Sequence, residues 1–95
     1  MSATTIHFVR HGKVYNPDHL LYERLPDFHL SDLGRRMAQA TAAYLANSPQ
    51  TNTISAVYSS PLDRTRETAD AILDALNPVR EARGEAPLML SLIHI

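Results

Sequence analysis

An apolar run, Ile54-Ser55-Ala56-Val57-Tyr58, passes straight into Ser59-Ser60-Pro61, and helical spacing begins directly behind it. No other feature restricts the fold as much. Ser60 suits a helix N-cap, and Pro61 suits the first helical position, where its missing N–H costs nothing. A strand that feeds a helix without a long loop sends the chain back across a sheet. The next strand of that sheet then runs parallel to the first.

The helix behind this junction carries Thr65, Ala69, Ile72, Leu73 and Leu76 on one stripe, with Asp63, Glu67, Asp70 and Asp74 mostly off it. Asn77-Pro78 reads as its end, and the charged stretch 79–87 reads as a loop. The apolar run 88–95 has strand length; it is either a third strand or an exposed segment prone to β-association.

Upstream, Thr4-Thr5-Ile6-His7-Phe8-Val9 is rich in β-branched and aromatic residues and reads as a first strand, with His7 a buried or edge histidine. The stretch Lys13 to His29, broken by Pro17 and Pro26, reads as a long loop near the strand end. Ser31 is a good N-cap for a helix ending near Asn47, with Pro49 just beyond. Leu33, Met37, Ala40 and Tyr44 recur at helical spacing, and Leu33, Met37 and Tyr44 are assigned to the core.

The order strand, loop, helix, strand, helix, strand predicts an α/β fold with a mainly parallel sheet. The 95 residues suffice for one small domain of modest core. A formal net charge of −1 gives no reason to expect a nucleic acid or an acidic membrane surface as partner. Without cysteine there is no disulfide framework and no thiolate. No basic-then-apolar leader opens the chain, and no run approaches the ~18 apolar residues of a membrane span, so a cytoplasmic setting is the expectation. Oligomeric state is not legible.

The first strand delivers Arg10-His11-Gly12 to its carboxyl end, the edge at which ligands bind in open α/β sheets. Gly12 permits a sharp turn or the close approach of another group. Parallel strands place the second strand's carboxyl end on the same edge, and with it the amino end of the second helix, where Arg64 occupies the first turn. Arg10, His11 and Arg64 can therefore converge. An uncharged imidazole can attack phosphorus, and fixed guanidinium groups stabilise the charge that spreads over the phosphate oxygens. Nearby arginines also disfavour a charged imidazole. The helix amino end adds N–H groups suited to an anion.

Arg10-His11-Gly12 with Asn16, then Leu30-Ser31-Asp32-Leu33-Gly34, then Ser59-Ser60-Pro61-Leu62-Asp63-Arg64-Thr65-Arg66-Glu67-Thr68-Ala69, resembles the opening of the histidine phosphatase superfamily, which includes the phosphoglycerate mutases. The three blocks stand in the family's order over roughly residues 4 to 77. The resemblance implies a three-layer sheet flanked by helices, here incomplete. It implies His11 as the phosphorylated nucleophile, Arg10 and Arg64 as phosphoryl ligands, and Asn16 as a lesser substrate contact. The stretch 15–29 would shape specificity. A small phosphorylated substrate is implied, with no metal or organic cofactor.

The family's later carboxylate acid/base and second histidine have no counterpart, since Glu81, Glu85 and His94 lack the matching neighbours. Residues 1–87 thus read as the amino-terminal part of a family domain with little or no turnover of its own. The ending Ser91-Leu92-Ile93-His94-Ile95 does not read as the family's continuation, and it resembles translated sequencing-adapter DNA, foreign to the gene. Competing readings are a phosphate-binding module without chemistry and a fragment without function. Singly, Arg64 also reads as a solvated surface charge, Asn16-Pro17 as a turn, Ser59 and Ser60 as turn and cap, Gly34 as a packing glycine, and His19 and His29 as loop residues.

Overall fold

The computed structural model describes residues 4–18 and 28–93. Helix α1 spans Asp32–Asn47, strand β1 Val57–Ser59, helix α2 Asp63–Ala82 and strand β2 Leu90–Leu92. The two strands pair in parallel, with Val57 opposite Leu90, Tyr58 opposite Ser91 and Ser59 opposite Leu92. Past the ladder, the Ile93 N–H donates to the Ser59 carbonyl at 2.8 Å. The parallel β–α–β order required by the Tyr58-to-Pro61 junction is therefore present, as is the α/β class. The described residues hold two strands rather than a three-layer sandwich.

Thr4 to Val9 forms no strand among the described residues. No backbone hydrogen bond ties residues 4–10 to another described segment, and Phe8 is 93% exposed. His7 is exposed too, not buried. β-Branched residues favour a pleated conformation only where a neighbour accepts the ladder. Here the segment runs beside β1 across an open cleft, so its propensity finds no partner.

Helix α1 begins where the sequence places it. Ser31 is extended at φ −68°, and its hydroxyl accepts from the Gly34 N–H at 3.1 Å. The same hydroxyl donates to the Lys13 carbonyl at 2.9 Å, so the cap also anchors the chain that follows Gly12. The core face differs from expectation. Leu33, Met37 and Tyr44 are 46%, 47% and 68% exposed, and Ala40 is exposed as well. Gly34, Ala38, Ala42, Leu45 and Ala46 are buried instead. Small side chains let α2 approach closely, and this contact outweighs the bulk of the residues on the other face.

The core joins Ala42, Leu45 and Ala46 of α1 to Ile72 and Leu76 of α2, with Ile54, Val57 and Val79 packed against it. The stripe expected on α2 holds: Ala69, Ile72, Leu73 and Leu76 are buried and Thr65 half-buried. Leu76 is fully buried, which contributes about 1.5–3 kcal/mol.

Both ends of α2 depart from the sequence reading. Ser60 and Pro61 lie ahead of the helix, and Leu62 is the N-cap without a side-chain cap. Thr65 organises the turn instead, its hydroxyl reaching the Leu62 and Ser60 carbonyls at 2.8 and 2.9 Å and the Ser60 hydroxyl at 2.7 Å. At the other end Pro78 sits inside the helix rather than closing it. An interior proline costs about 3 kcal/mol. Contacts beyond it offset this: Val79 packs on the core, and Arg80 donates to the Ala86 and Ile54 carbonyls at 2.8 and 3.3 Å. Termination waits for Gly84 at φ +77°. There the Gly84 N–H donates to Glu81 and the Glu85 N–H to Arg80, both at 2.9 Å, which is a Schellman closure. Asn77 then grips Leu88, donating to its carbonyl at 3.1 Å and accepting its N–H at 2.7 Å, and so steers the chain into β2.

Candidate active site

An open cleft of about 710 Å³ lies between residues 4–11 and the sheet. Apolar side chains such as Ile6, Phe8, Val57 and Ile72 make most of its wall. His11 lines the same cleft as Ser59, Ser60 and Thr65, which stand at the junction of β1 and α2. That junction is the carboxyl end of β1 and the amino end of α2, the sheet edge at which ligands of α/β folds bind.

His11 is half-buried, and its Nδ1 lies 2.9 Å from the Gly12 carbonyl oxygen. A carbonyl only accepts, so this ring nitrogen carries the hydrogen of the bond. In the uncharged ring the lone pair then resides on Nε2. The backbone next to His11 is held from α1. Lys13 accepts from the Ser31 N–H at 2.8 Å, and Gly12 lies against Gly34. A Cβ on Gly12 would stand 2.9 Å from the Gly34 carbonyl oxygen, so Gly12 serves close approach; positive φ is found at Gly84 alone among the described glycines.

The remaining expected residues are placed as follows. Arg10 is exposed and Asn16 half-buried, and neither lines the cleft. Arg64 is 2% exposed, which removes the reading of a solvated surface charge. Burying a guanidinium is costly without hydrogen bonds, and no described buried side-chain nitrogen or oxygen lacks a partner. Arg64 does not line the cleft, whereas its neighbour Thr65 does. Ser59 and Ser60 reach the cleft wall, beyond their turn role. His19 and His94 lie outside the described residues.

A cluster that the sequence did not single out sits on the other side of α2. Glu67 Oε1 accepts from His29 Nδ1 at 3.0 Å and from the Leu30 N–H at 3.1 Å. Its Oε2 accepts from Arg35 Nη2 and Nε at 3.0 and 3.3 Å, two charge-assisted donors on one carboxylate oxygen. His29 Nε2 stands 3.6 Å from Asp63 Oδ2. Burial pushes the Glu67 carboxyl up, but the Arg35 guanidinium, the Leu30 N–H and the His29 ring together outweigh it and hold the group below the usual carboxylate range. The available sequence signal is the four-residue spacing of Asp63 and Glu67, which puts both carboxylates on one face of α2.

The stretch 13–31 leaves and returns to one place. The Tyr15 N–H donates to His29 and the Ser31 N–H to Lys13, both at 2.8 Å, and Val14 bridges Leu30 antiparallel. Residues 19–27 of the loop expected from Lys13 to His29 lie outside the described residues; its two described ends pair with each other, with Val14 and Leu30 buried between them.

No helix among the described residues is long and apolar enough to cross a membrane. The chain is 51% identical over 69 residues to the uncharacterized proteins Rv0525 and MT0547 of two Mycobacterium tuberculosis strains, H37Rv and CDC 1551. That alignment covers 73% of this chain and 32% of each relative, so the chain spans about a third of their length. No solved structure matches it. Residues 6–86 match the histidine phosphatase superfamily (branch 1), and with most of its length inside that match the chain belongs to this family.

Proposed function

We propose that the chain carries the nucleophile and phosphate-binding segments of a phosphoryl-transfer enzyme, a phosphomonoester phosphatase or phosphomutase that works through a phosphohistidine. The supporting observation is His11 itself. Its ring is anchored through Nδ1 to the Gly12 carbonyl at 2.9 Å, and it lines the cleft that Ser59, Ser60 and Thr65 also line.

The lone pair on Nε2 of His11 attacks phosphorus, and the bond from phosphorus to the ester oxygen breaks. The electron pair leaves with that oxygen, which takes up a proton. Water then attacks the phosphohistidine, the N–P bond breaks, and its electrons return to Nε2 as phosphate departs. A mutase delivers the phosphoryl group to a second hydroxyl instead. The resemblance assigns the phosphoryl oxygens to Arg10 and Arg64 as bidentate donors and a lesser substrate contact to Asn16, roles that require these side chains to turn toward His11, since none of the three lines the cleft. The substrate is a small phosphorylated molecule, and no cofactor enters these steps.

General acid–base help is typically worth ~10²–10⁴-fold, and Glu81 and Glu85 are committed elsewhere or exposed: Glu85 pairs with Arg80 and Arg83 at 3.1 and 2.9 Å. The 95-residue chain therefore favours esters whose leaving group needs no proton. With p-nitrophenyl phosphate it should release nitrophenolate in a stoichiometric burst followed by slow turnover. His11→Ala should abolish the burst. Saturable phosphate binding with no burst in the wild type would support a binding module without chemistry, and neither would support a fragment without function.

A further inference from the structure

The Glu67 carboxylate touches α1 and the end of the loop while standing on α2. It accepts from Leu30 and His29 with one oxygen and from Arg35 with the other. The residues it holds are half of the loop base. His29 accepts the Tyr15 N–H at 2.8 Å, and Leu30 bridges Val14. Asn16 follows Tyr15 directly, and His11 precedes Lys13 by two residues on the same strap. A single side chain of α2 thus anchors the frame from which Asn16 is presented.

We propose that Glu67 is a positioning residue for substrate binding: it latches the paired segments 13–16 and 28–31 onto α2 and so sets where Asn16 stands relative to His11. It touches no reacting atom. Its action on substrate rests on the assignment of His11 as the phosphoryl acceptor. The latch governs how tightly a phosphomonoester is held, and the limiting rate of transfer to His11 does not depend on it.

The test compares the 95-residue wild type with Glu67→Ala and Glu67→Gln by amide hydrogen exchange and by His11 phosphorylation from p-nitrophenyl phosphate. Losing charge-assisted hydrogen bonds should speed exchange at Tyr15, Leu30 and Ser31 by about 10- to 100-fold in Glu67→Ala, with Leu76 unchanged. Glu67→Gln keeps an acceptor for the Leu30 N–H and should restore part of the protection. The half-saturating ester concentration should rise by about tenfold in Glu67→Ala, with the limiting rate within about twofold of wild type.

Equal exchange at Tyr15 and Leu30 in all three proteins overturns the proposal. So does a lower limiting rate at unchanged half-saturation. If Glu67→Ala does not fold, Glu67→Gln carries the comparison, and wild-type exchange in it likewise overturns the latch. A wild type that takes no label refutes the assignment of His11 instead, and the exchange rates alone then decide the latch.

Discussion

Gly12 and Gly34 lie backbone against backbone: a Cβ on Gly12 would stand 2.9 Å from the Gly34 carbonyl oxygen, and one on Gly34 would collide with the Lys13 carbonyl oxygen. The strap bearing His11 is thereby seated on the first turn of α1. Alanine is the better helix former by about 1 kcal/mol, so on propensity alone Gly34→Ala should stabilise the chain. Overpacking against rigid backbone costs about 1–3 kcal/mol and reverses the sign. Gly34→Ala should therefore lower the melting temperature and loosen the Ser31-to-Lys13 hydrogen bond, seen as faster exchange of the Ser31 amide.

Gly84 presents the opposite case. A Cβ there meets nothing within 4 Å, yet φ is +77°. Gly84→Ala should cost about 1–2 kcal/mol through backbone strain alone. Chemical denaturation should show a lower midpoint with an unchanged slope, since no buried surface is lost.

Leu76 is fully buried between the two helices. Leu76→Ala should cost about 2–5 kcal/mol, enough to unfold a marginal small domain. Met37→Ala, on the exposed face of α1, should change stability by less than about 0.5 kcal/mol. Equal losses from the two substitutions would contradict the observed core.

Glu67 adds a pH dependence. Its carboxyl lies below its ordinary value of 4.5 in the folded chain. The unfolded chain therefore takes up this proton first as pH falls. The stabilisation is complete above about pH 4.5 and is lost as pH drops through the folded value. The ionisable groups around it are Arg35, His29 and Asp63, with Asp32 paired to Arg35 at 3.8 Å. Melting temperatures measured from pH 7 to pH 3 should fall more steeply in the wild type than in Glu67→Gln.

Helix α1 was legible to the residue because Ser31 supplies a cap whose chemistry is local. Its buried face was not, because bulk marks Leu33, Met37 and Tyr44 while close packing selects Gly34, Ala38 and Ala42. A sequence reports how apolar a face is, but not which face a second helix approaches. The end of α2 was misplaced for a related reason. Pro78 is the stronger local stop signal, yet tertiary contacts of Val79 and Arg80 carry the helix past it to Gly84. The first strand failed because a strand needs a neighbour as well as a composition. Among the expected site residues, the Arg10-His11-Gly12 tripeptide drew attention to His11, which lines the cleft. The Glu67 cluster links positions 37 and 38 residues apart, and on the sequence such charges look like any solvated helix face.

Arg10 is exposed, so its replacement leaves the core intact. Under the phosphoryl-binding role proposed for it, Arg10→Ala should keep the wild-type melting temperature while weakening phosphoryl transfer to His11 by about 10²-fold, the typical cost of one transition-state donor; unchanged transfer would remove Arg10 from the site.

The most direct measurement is peptide mapping of the phosphorylated site after incubation with p-nitrophenyl phosphate. An acid-labile, base-stable phosphate is expected on the peptide containing His11, absent from His11→Ala. An unmodified His11 in the wild type, or the same label surviving in His11→Ala, would contradict it.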